Sequence, residues 1–537
     1  MGSSFPTQTA LGRKSPGPQH SRRPCPGQSR AAPLAWLLVA VGLLQVFAAC
    51  ARNPVSGRPE AVLTSERAEI EQGNRAALIV EGEMGLVDDP ALEAYLEQLG
   101  QRLAIHSPRS HLSYRFKIAD IPEANAFALP GGYIYVSRGL LALANSEDQL
   151  AAVLGHEIAH VAARHSVQRQ TAAAPLAPLR IAAALGGAAA AIVSPGLGEV
   201  VAGIGQFPAE FAMAAYSRDQ EREADRLGQQ LAAEAGFDPM ALSTFNDTLI
   251  REEALKGENT GPRSSFLLSH PPGPERSAAA QLHAAELVIA PDLPAPLDRK
   301  AFLGHLEGLV IGQPALAGVF QGDRFLHPQL GIAFALPGGW QTFNNPSSVL
   351  ARSPDGVAEI VVEIVGEGDS ALLAAQALGR LIRLDGPPRA IEIGELEAAE
   401  ASAHVRSRTQ SRQLLVTFIA YNGLIYRIAG TVPVSELANV RPEFTRTTLS
   451  FHPLGEAERE EIFENHLRLV RAEDNENLAA FSERSENQWS KAQTAVANGI
   501  DEDAALPVGE WFKIARREPY RDPGNREGED AENPPTP

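Results

Sequence analysis

The chain has 537 residues, too many for one compact core, so two to four domains are expected. A hydrophobic fraction of 44% fits a globular protein. A formal net charge of -18 argues against a nucleic-acid partner and reads as a solvated acidic surface that names no substrate.

Residues 1–33 are polar and basic, carrying Arg13, Lys14, Arg22, Arg23 and Arg30, and an apolar run over 34–49 ends on Cys50. That run is too short, and too rich in small residues at its end, for a comfortable membrane span; residues 1–50 read as a signal peptide. Small residues directly before a cysteine resemble a bacterial lipobox, which makes Cys50 a lipidation site, and Ala51 after it favours the outer membrane. Cys25 and Cys50 are the only cysteines, so the mature chain is expected to hold no disulfide.

Residues 51–62 read as a tether. Helical periodicity runs from about Ser65 to Ile105, broken around Asp88-Asp89-Pro90. Residues 113–118 alternate as a strand does, and 125–137 predict two short strands turning at Pro130-Gly131-Gly132. In the next helix Ser146 and Gln149 have capping-box spacing, and Leu150, Val153, Leu154, Ile158 and Val161 form an apolar stripe. Residues 171–205 are mostly Ala and Gly. They read as a mobile helical lid in preference to a membrane hairpin, because they offer little apolar area. A second strong helix starts near Ser217 and stops at Gly236, ahead of Pro239. Pro291, Pro294 and Pro296 mark a linker over 291–320. Residues 321–453, with strand signals at 358–365 and a hairpin of 414–421 and 424–428 around Asn422-Gly423, read as an α+β domain of unassigned role. A third unit covers 454–515, and the charged, proline-rich 516–537 reads as a disordered tail.

The helix after Ser146 carries His156-Glu157-Ile158-Ala159-His160, an H-E-x-x-H pattern. Its two histidines share one helix face and can grip one zinc ion, and the glutamate between them is placed to activate a bound water. A pattern this short arises by chance, so the third ligand decides its weight. The metzincin spacing fails. It needs a glycine and a third histidine where Ala163 and Ser166 stand, with His165 one residue out of register. The other route draws a carboxylate from a distant helix. In Glu221-Arg222-Glu223-Ala224-Asp225, Glu221 and Asp225 lie four apart and face the same way, whereas the rival Glu223 projects from another face. Glu221 is therefore the preferred ligand, with Asp225 orienting a ligand histidine through its free ring nitrogen. The expected site is one Zn2+ held by His156, His160 and Glu221, an open fourth position for water, and Glu157 as general base.

The segments 125–136, His156 to His160, Ser217 to Asp225 and Ser269-His270-Pro271, in that order, resemble the M48 peptidases of the bacterial periplasmic lipoprotein (BepA/Oma-like) type. Residues 53–58 are similar to lipoprotein members as well. The resemblance implies a mainly helical, gluzincin-type metallopeptidase domain over 63–290 with a small edge-strand sheet, within an α+β multidomain chain. It implies zinc ligation by His156, His160 and Glu221, catalysis by Glu157, and pairing of an extended substrate with an edge strand at Gly132, Tyr133, Ile134, Tyr135 and Val136. It further implies that His270 can reach the metal and hold it latent. No tetratricopeptide pattern follows the peptidase region. The third unit resembles a degenerate LysM domain of βααβ form, with 467–470, 476–481, Asn498-Gly499 and 507–514 as its parts, which would tie the chain to peptidoglycan.

The leading expectation is a zinc endopeptidase, lipid-anchored in the bacterial periplasm at the outer membrane, acting on unfolded or misassembled envelope proteins. A chaperone or assembly factor, and a peptidoglycan-bound scaffold, are the other readings.

Overall fold

The computed structural model describes residues 50–62, 64–173, 215–256, 265–271, 274–406 and 411–521. The leader 1–49, the part of the Ala/Gly stretch over 174–205, and the tail beyond 521 lie outside the described residues. The chain divides into two units, 1–50 and 51–537, and the second mixes helix and sheet over several modules. Among the described residues, no helix is long and apolar enough to cross a membrane.

Helices α1 (Glu66–Met84) and α2 (Pro90–Ala104) fall on either side of the predicted break. The Asp89 carboxylate accepts from the Ala91 and Leu92 N–H groups, and Pro90 opens α2 where a missing N–H costs nothing. Strands β1 (Arg115–Ala119), β2 (Ala126–Leu129) and β3 (Tyr133–Ser137) form a sheet in the order β1-β3-β2. The β2–β3 turn needs Gly131 and Gly132, at φ 83° and 108°, and a Cβ on Gly131 would meet the Ile70 backbone at 2.8 Å.

This order corrects the assignment of Gly132, Tyr133, Ile134, Tyr135 and Val136 to a substrate-pairing edge. β3 is the central strand, parallel to β1 on one side and antiparallel to β2 on the other, so both its hydrogen-bonding sides are occupied. The edges are β1 and β2.

Helices α3 (Arg138–Leu143), α4 (Glu147–Ala162), α5 (His165–Ala173), α6 (Arg218–Glu234), α7 (Ala241–Lys256), α8 (Ser265–Ser269) and α9 (Pro274–Glu286) complete the region. Ser146 accepts from the Gln149 N–H, but the Gln149 side chain turns to the Asn145 N–H. The reciprocal capping box forms instead between Ser217 and Gln220, where it starts α6. α4 is buried along almost its whole length, packed with α2, α6 and the sheet in one apolar core.

Residues 291–320 are not a linker. Phe302 and Leu303 of α10 (Arg299–Gly304), with Leu306 and Leu309, join that same core, and β4 (Val310–Ile311) pairs with a strand far along the chain. Nor do residues 51–62 hang free: Asn53 is 2% exposed and bonded to Glu223.

Strands β5 (Val319–Gln321), β6 (Arg324–His327), β7 (Ile332–Ala335) and β15 (His452–Pro453) form a sheet ordered β15-β7-β6-β5. Beside it, β8 (Gln341–Asn345), β9 (Ser348–Arg352), β10 (Glu359–Glu367), β11 (Arg389–Ile393), β12 (Leu396–Arg406), β13 (Ser411–Tyr421) and β14 (Leu424–Pro433) form an antiparallel sheet, ordered β8-β9-β10-β14-β13-β12-β11. α11 (Ala371–Leu381) packs on one face of it, and the cluster with Phe334, Phe451 and Phe444 of α12 (Leu437–Leu449) on the other. The predicted hairpin forms β13 and β14. Asn422 and Gly423 both take positive φ, 50° and 75°, the requirement of a type I′ turn.

The last unit runs β16 (Phe463–Arg471), α13 (Leu478–Arg484), α14 (Lys491–Ala497) and β17 (Trp511–Pro519), with β16 antiparallel to β17 and flanked by β4. β17 extends through four residues that the sequence assigned to the tail. Leu467, Val496 and Ala497 of this unit belong to the same apolar core as α4. Lys513, fully buried, donates from Nζ to the Ala142 and Ala144 carbonyls, each at 2.7 Å.

Burial, with Arg299 nearby, holds the Lys513 amine well below the ordinary value of 10.5. The unfolded chain then binds the extra proton, so stability rises with pH between the folded-state value and 10.5. Urea unfolding at several pH values should show a more positive stability slope between about pH 7.5 and 10 for the wild type than for Lys513→Met. Equal slopes would show that this docking lysine does not titrate anomalously.

Candidate metal centre

α4 carries His156, Glu157 and His160, α6 carries Glu221 and Asp225, and His270 directly follows α8. α4 and α6 touch backbone to backbone at Gly155 and Gly228. A Cβ on Gly155 would lie 2.8 Å from the Gly228 carbonyl oxygen, and one on Gly228 2.8 Å from the His156 nitrogen. Side chains at either position would force the helices apart. Gly155 precedes His156, and Gly228 lies about one turn beyond Asp225, so this crossing sets the carboxylates of α6 against the histidines of α4.

His156, His160, Glu221 and His270 are all buried, and one ligand atom from each lies within 4.8 Å of the others. His156 Nε2 is 3.0 Å from His160 Nε2 and 3.2 Å from His270 Nδ1. Glu221 Oε1 is 3.0 Å from His270 Nδ1 and 3.4 Å from His160 Nε2. Zinc binds such atoms at about 2.0–2.2 Å, which on a tetrahedron separates neighbouring ligands by about 3.3–3.6 Å. The spacings of 3.0–3.4 Å lie at or just below that range, so the donor set can hold one metal ion of about zinc's size. The predicted ligands converge, but the fourth position expected to be open to water is filled by His270 Nδ1. Four protein donors make a closed set.

The orphaned atoms agree with that fit. Both Glu157 carboxylate oxygens are buried without a hydrogen bond among the described residues, and His270 Nε2 approaches Oε1 at 3.5 Å. Asp225 Oδ1 lies 3.0 Å from His156 Nδ1, on the ring edge away from the cluster. Glu223 turns away toward His165, 3.0 Å from its Nε2.

Residues 90–284 match the model of Peptidase family M48. Over these residues the chain is similar to the M48 metallopeptidases. It is 31% identical over 263 residues to the beta-barrel assembly-enhancing protease of Escherichia coli (strain K12), covering 47% of this chain and 52% of that protein. A putative beta-barrel assembly-enhancing protease of Vibrio cholerae is 31% identical over 244 residues, 45% of this chain and 50% of that protein. The mitochondrial metalloendopeptidase OMA1 of Schizosaccharomyces pombe is 33% identical over 183 residues, 34% of this chain and 50% of that protein. The chain thus spans about half the length of these relatives.

Two residues of the centre escaped the sequence reading. Arg276 of α9 contacts Glu221 Oε2 at 2.5 Å and grips Asp225 at 2.5 and 2.7 Å, one cation shared by two buried carboxylates. The need for such a cation was implied by Glu221 and Asp225 on one face, but no spacing pointed to α9. Tyr216 stacks on His160 with ring centroids 3.8 Å apart. It stands one residue before the Ser217 cap, where nothing marks it.

Burial pushes the Glu221 carboxyl upward, but His270, His160 and Arg276 outweigh it and hold it well below the ordinary range. Burial likewise raises Asp225, and Arg276 reverses the sign. Glu157 has no such compensation: burial raises its carboxyl, and His270 and His156 offset only part. Burial, with His156 adding, drives His160 well below the ordinary histidine value, toward the neutral imidazole a metal requires.

Gly228→Ala should therefore cost more than its single methyl. Overpacking of this kind costs about 1–3 kcal/mol, and separating the helices should also lower zinc content measured on the purified chain. Full zinc occupancy with unchanged urea stability would show that the crossing does not set the ligand geometry.

Proposed function

We propose that the chain is a zinc-dependent endopeptidase of the bacterial cell envelope, acting in quality control of misfolded or misassembled envelope proteins. The observation that carries this reading is the convergence of His156, His160, Glu221 and His270 beside the unpaired Glu157, inside the M48-like region. His156, His160 and Glu221 hold the ion, which when bound supplies Lewis acidity that polarises a peptide carbonyl and acidifies water. Glu157 takes the proton of the attacking water and passes it to the leaving amine. A carboxyl whose pKa burial has raised suits both transfers near neutral pH.

His270 acts as a latch. Its Nδ1 takes the fourth ligand position while its Nε2 faces the general base, so one side chain blocks both. The substrate adds along the outer edge of β2. Ser137 donates to the Asn125 carbonyl, so by antiparallel alternation Ala126 and Ala128 turn their N–H and C=O groups away from β3. The latch helix α8 sits at one end of that edge, where the Phe266 N–H donates to the Ala124 carbonyl.

The envelope assignment draws support from the similarity to the beta-barrel assembly-enhancing protease of Escherichia coli and from the lipobox-like Cys50, which would anchor the chain at the outer membrane. The βααβ order of β16 to β17 is compatible with a LysM-like unit that contacts peptidoglycan.

Glu157→Gln should lower casein cleavage by about 10²–10⁴-fold while zinc content stays at one per chain. Undiminished cleavage would remove Glu157 from the general-base role, and full function of the chain surviving the loss of cleavage would sink the peptidase reading and favour a chaperone or assembly role. His270→Ala should raise casein cleavage by the zinc-loaded protein. Cleavage equal to or below wild type would remove the latch role.

A further inference from the structure

His160 presents Nε2 to the ligand cluster, and its other ring nitrogen, Nδ1, lies 2.9 Å from Nδ1 of His165. Two facing imidazole nitrogens bond only when one carries a proton and the other does not. His165 is fully buried, and its Nε2 lies 3.0 Å from Glu223 Oε2. A carboxylate only accepts, so it selects the His165 tautomer that carries its proton on Nε2. His165 Nδ1 is then a bare acceptor, which selects the His160 tautomer protonated at Nδ1. That tautomer leaves the His160 Nε2 lone pair free for a metal. The opposite choice would point a lone pair of His165 at the Glu223 carboxylate.

Glu223 is held in turn by Asn53, whose Nδ2 donates to Glu223 Oε2 at 3.1 Å and to Glu60 Oε1 at 2.6 Å. One amide thus bridges two carboxylates. Its Oδ1 accepts from the Val55 and Ser56 N–H groups and fixes the turn that presents it. Glu60 also accepts from Gln168 at 2.6 Å, on the same helix as His165.

We propose that His165, Glu223 and Asn53 form a positioning relay that sets the tautomer and ring orientation of His160 and joins the N-terminal segment 53–60 to the metal centre. The proposal rests on the zinc reading above. The relay touches no substrate and takes no part in proton transfer at the peptide bond. Its effect is on how well His160 donates to the ion, and partners of metal-bound histidines typically change metal affinity by about 10–100-fold.

The test uses the full chain, with zinc affinity measured by competition against a chromophoric chelator at fixed pH. Urea unfolding is run with and without zinc. Glu223→Gln keeps the shape of a partly exposed side chain but can donate as well as accept, so it no longer dictates the tautomer, and it should weaken zinc binding by about 10–100-fold. Asn53→Ala should act in the same direction by a smaller factor. Both variants should lose stability mainly in the presence of zinc. Unchanged zinc affinity in both, or an equal loss of stability with and without zinc, would overturn the relay. A wild-type chain that binds no zinc would instead defeat the underlying metal reading.

Discussion

The contact on which the centre depends is the crossing of Gly155 and Gly228, where two helix backbones meet without side chains between them. Each helix is stable for its own reasons. α4 is apolar enough to be buried almost throughout, and α6 begins at a full capping box and buries Leu227 and Leu231. Neither fact brings a carboxylate to a histidine. Close approach at one point does so, because Asp225 and Glu221, about one and two turns away on α6, are then forced into reach of the histidine rings on α4.

The same closeness creates an electrostatic demand. Glu221 and Asp225 are buried, and a buried carboxylate without a partner would protonate or destabilise the fold. Arg276 answers part of that demand by contacting both. Two carboxylates sharing one guanidinium still leave net negative charge, with Glu157 close by, and a divalent cation held among the imidazole nitrogens is the natural complement. Charge and ligand spacing thus point to the same occupant. The outer partners follow a common pattern: Asp225 faces the free nitrogen of His156, and His165 the free nitrogen of His160.

What could be read from the residues was whatever local spacing determines. His156 and His160 share a face because they are four apart, and Glu221 and Asp225 for the same reason; Asn422-Gly423 fixes a hairpin because both positions need positive φ. What could not be read depends on distant partners. β3 is uniformly buried, so alternation could not distinguish an edge strand from a central one, and its parallel pairing with β1 leaves no local mark. Prolines at 291, 294 and 296 break periodicity as a linker does, yet Phe302 and Leu306 find their burial beside Leu467, more than a hundred residues away. Asn53 looked like part of a tether because the reason for its burial, Glu223, lies on α6.

The closed donor set carries the last consequence. A four-ligand site with a buried general base is poorly arranged for hydrolysis, since neither the fourth position nor Glu157 is open to water. Under the proposed reading, activity then requires His270 to leave. Its attachments show how much must move with it: Phe266 stacks on its ring at 4.5 Å, and the Phe266 N–H holds the Ala124 carbonyl beside the outer edge of β2. Withdrawing α8 would free the ligand position, the base and one end of the strand edge in one displacement. A peptide able to pair with β2 competes with α8 for that end, so substrate binding itself favours the opened state in proportion to its affinity difference for the two. Under that reading the latch and the substrate strand are coupled by construction, and hydrolysis favours chains extended enough to add a strand.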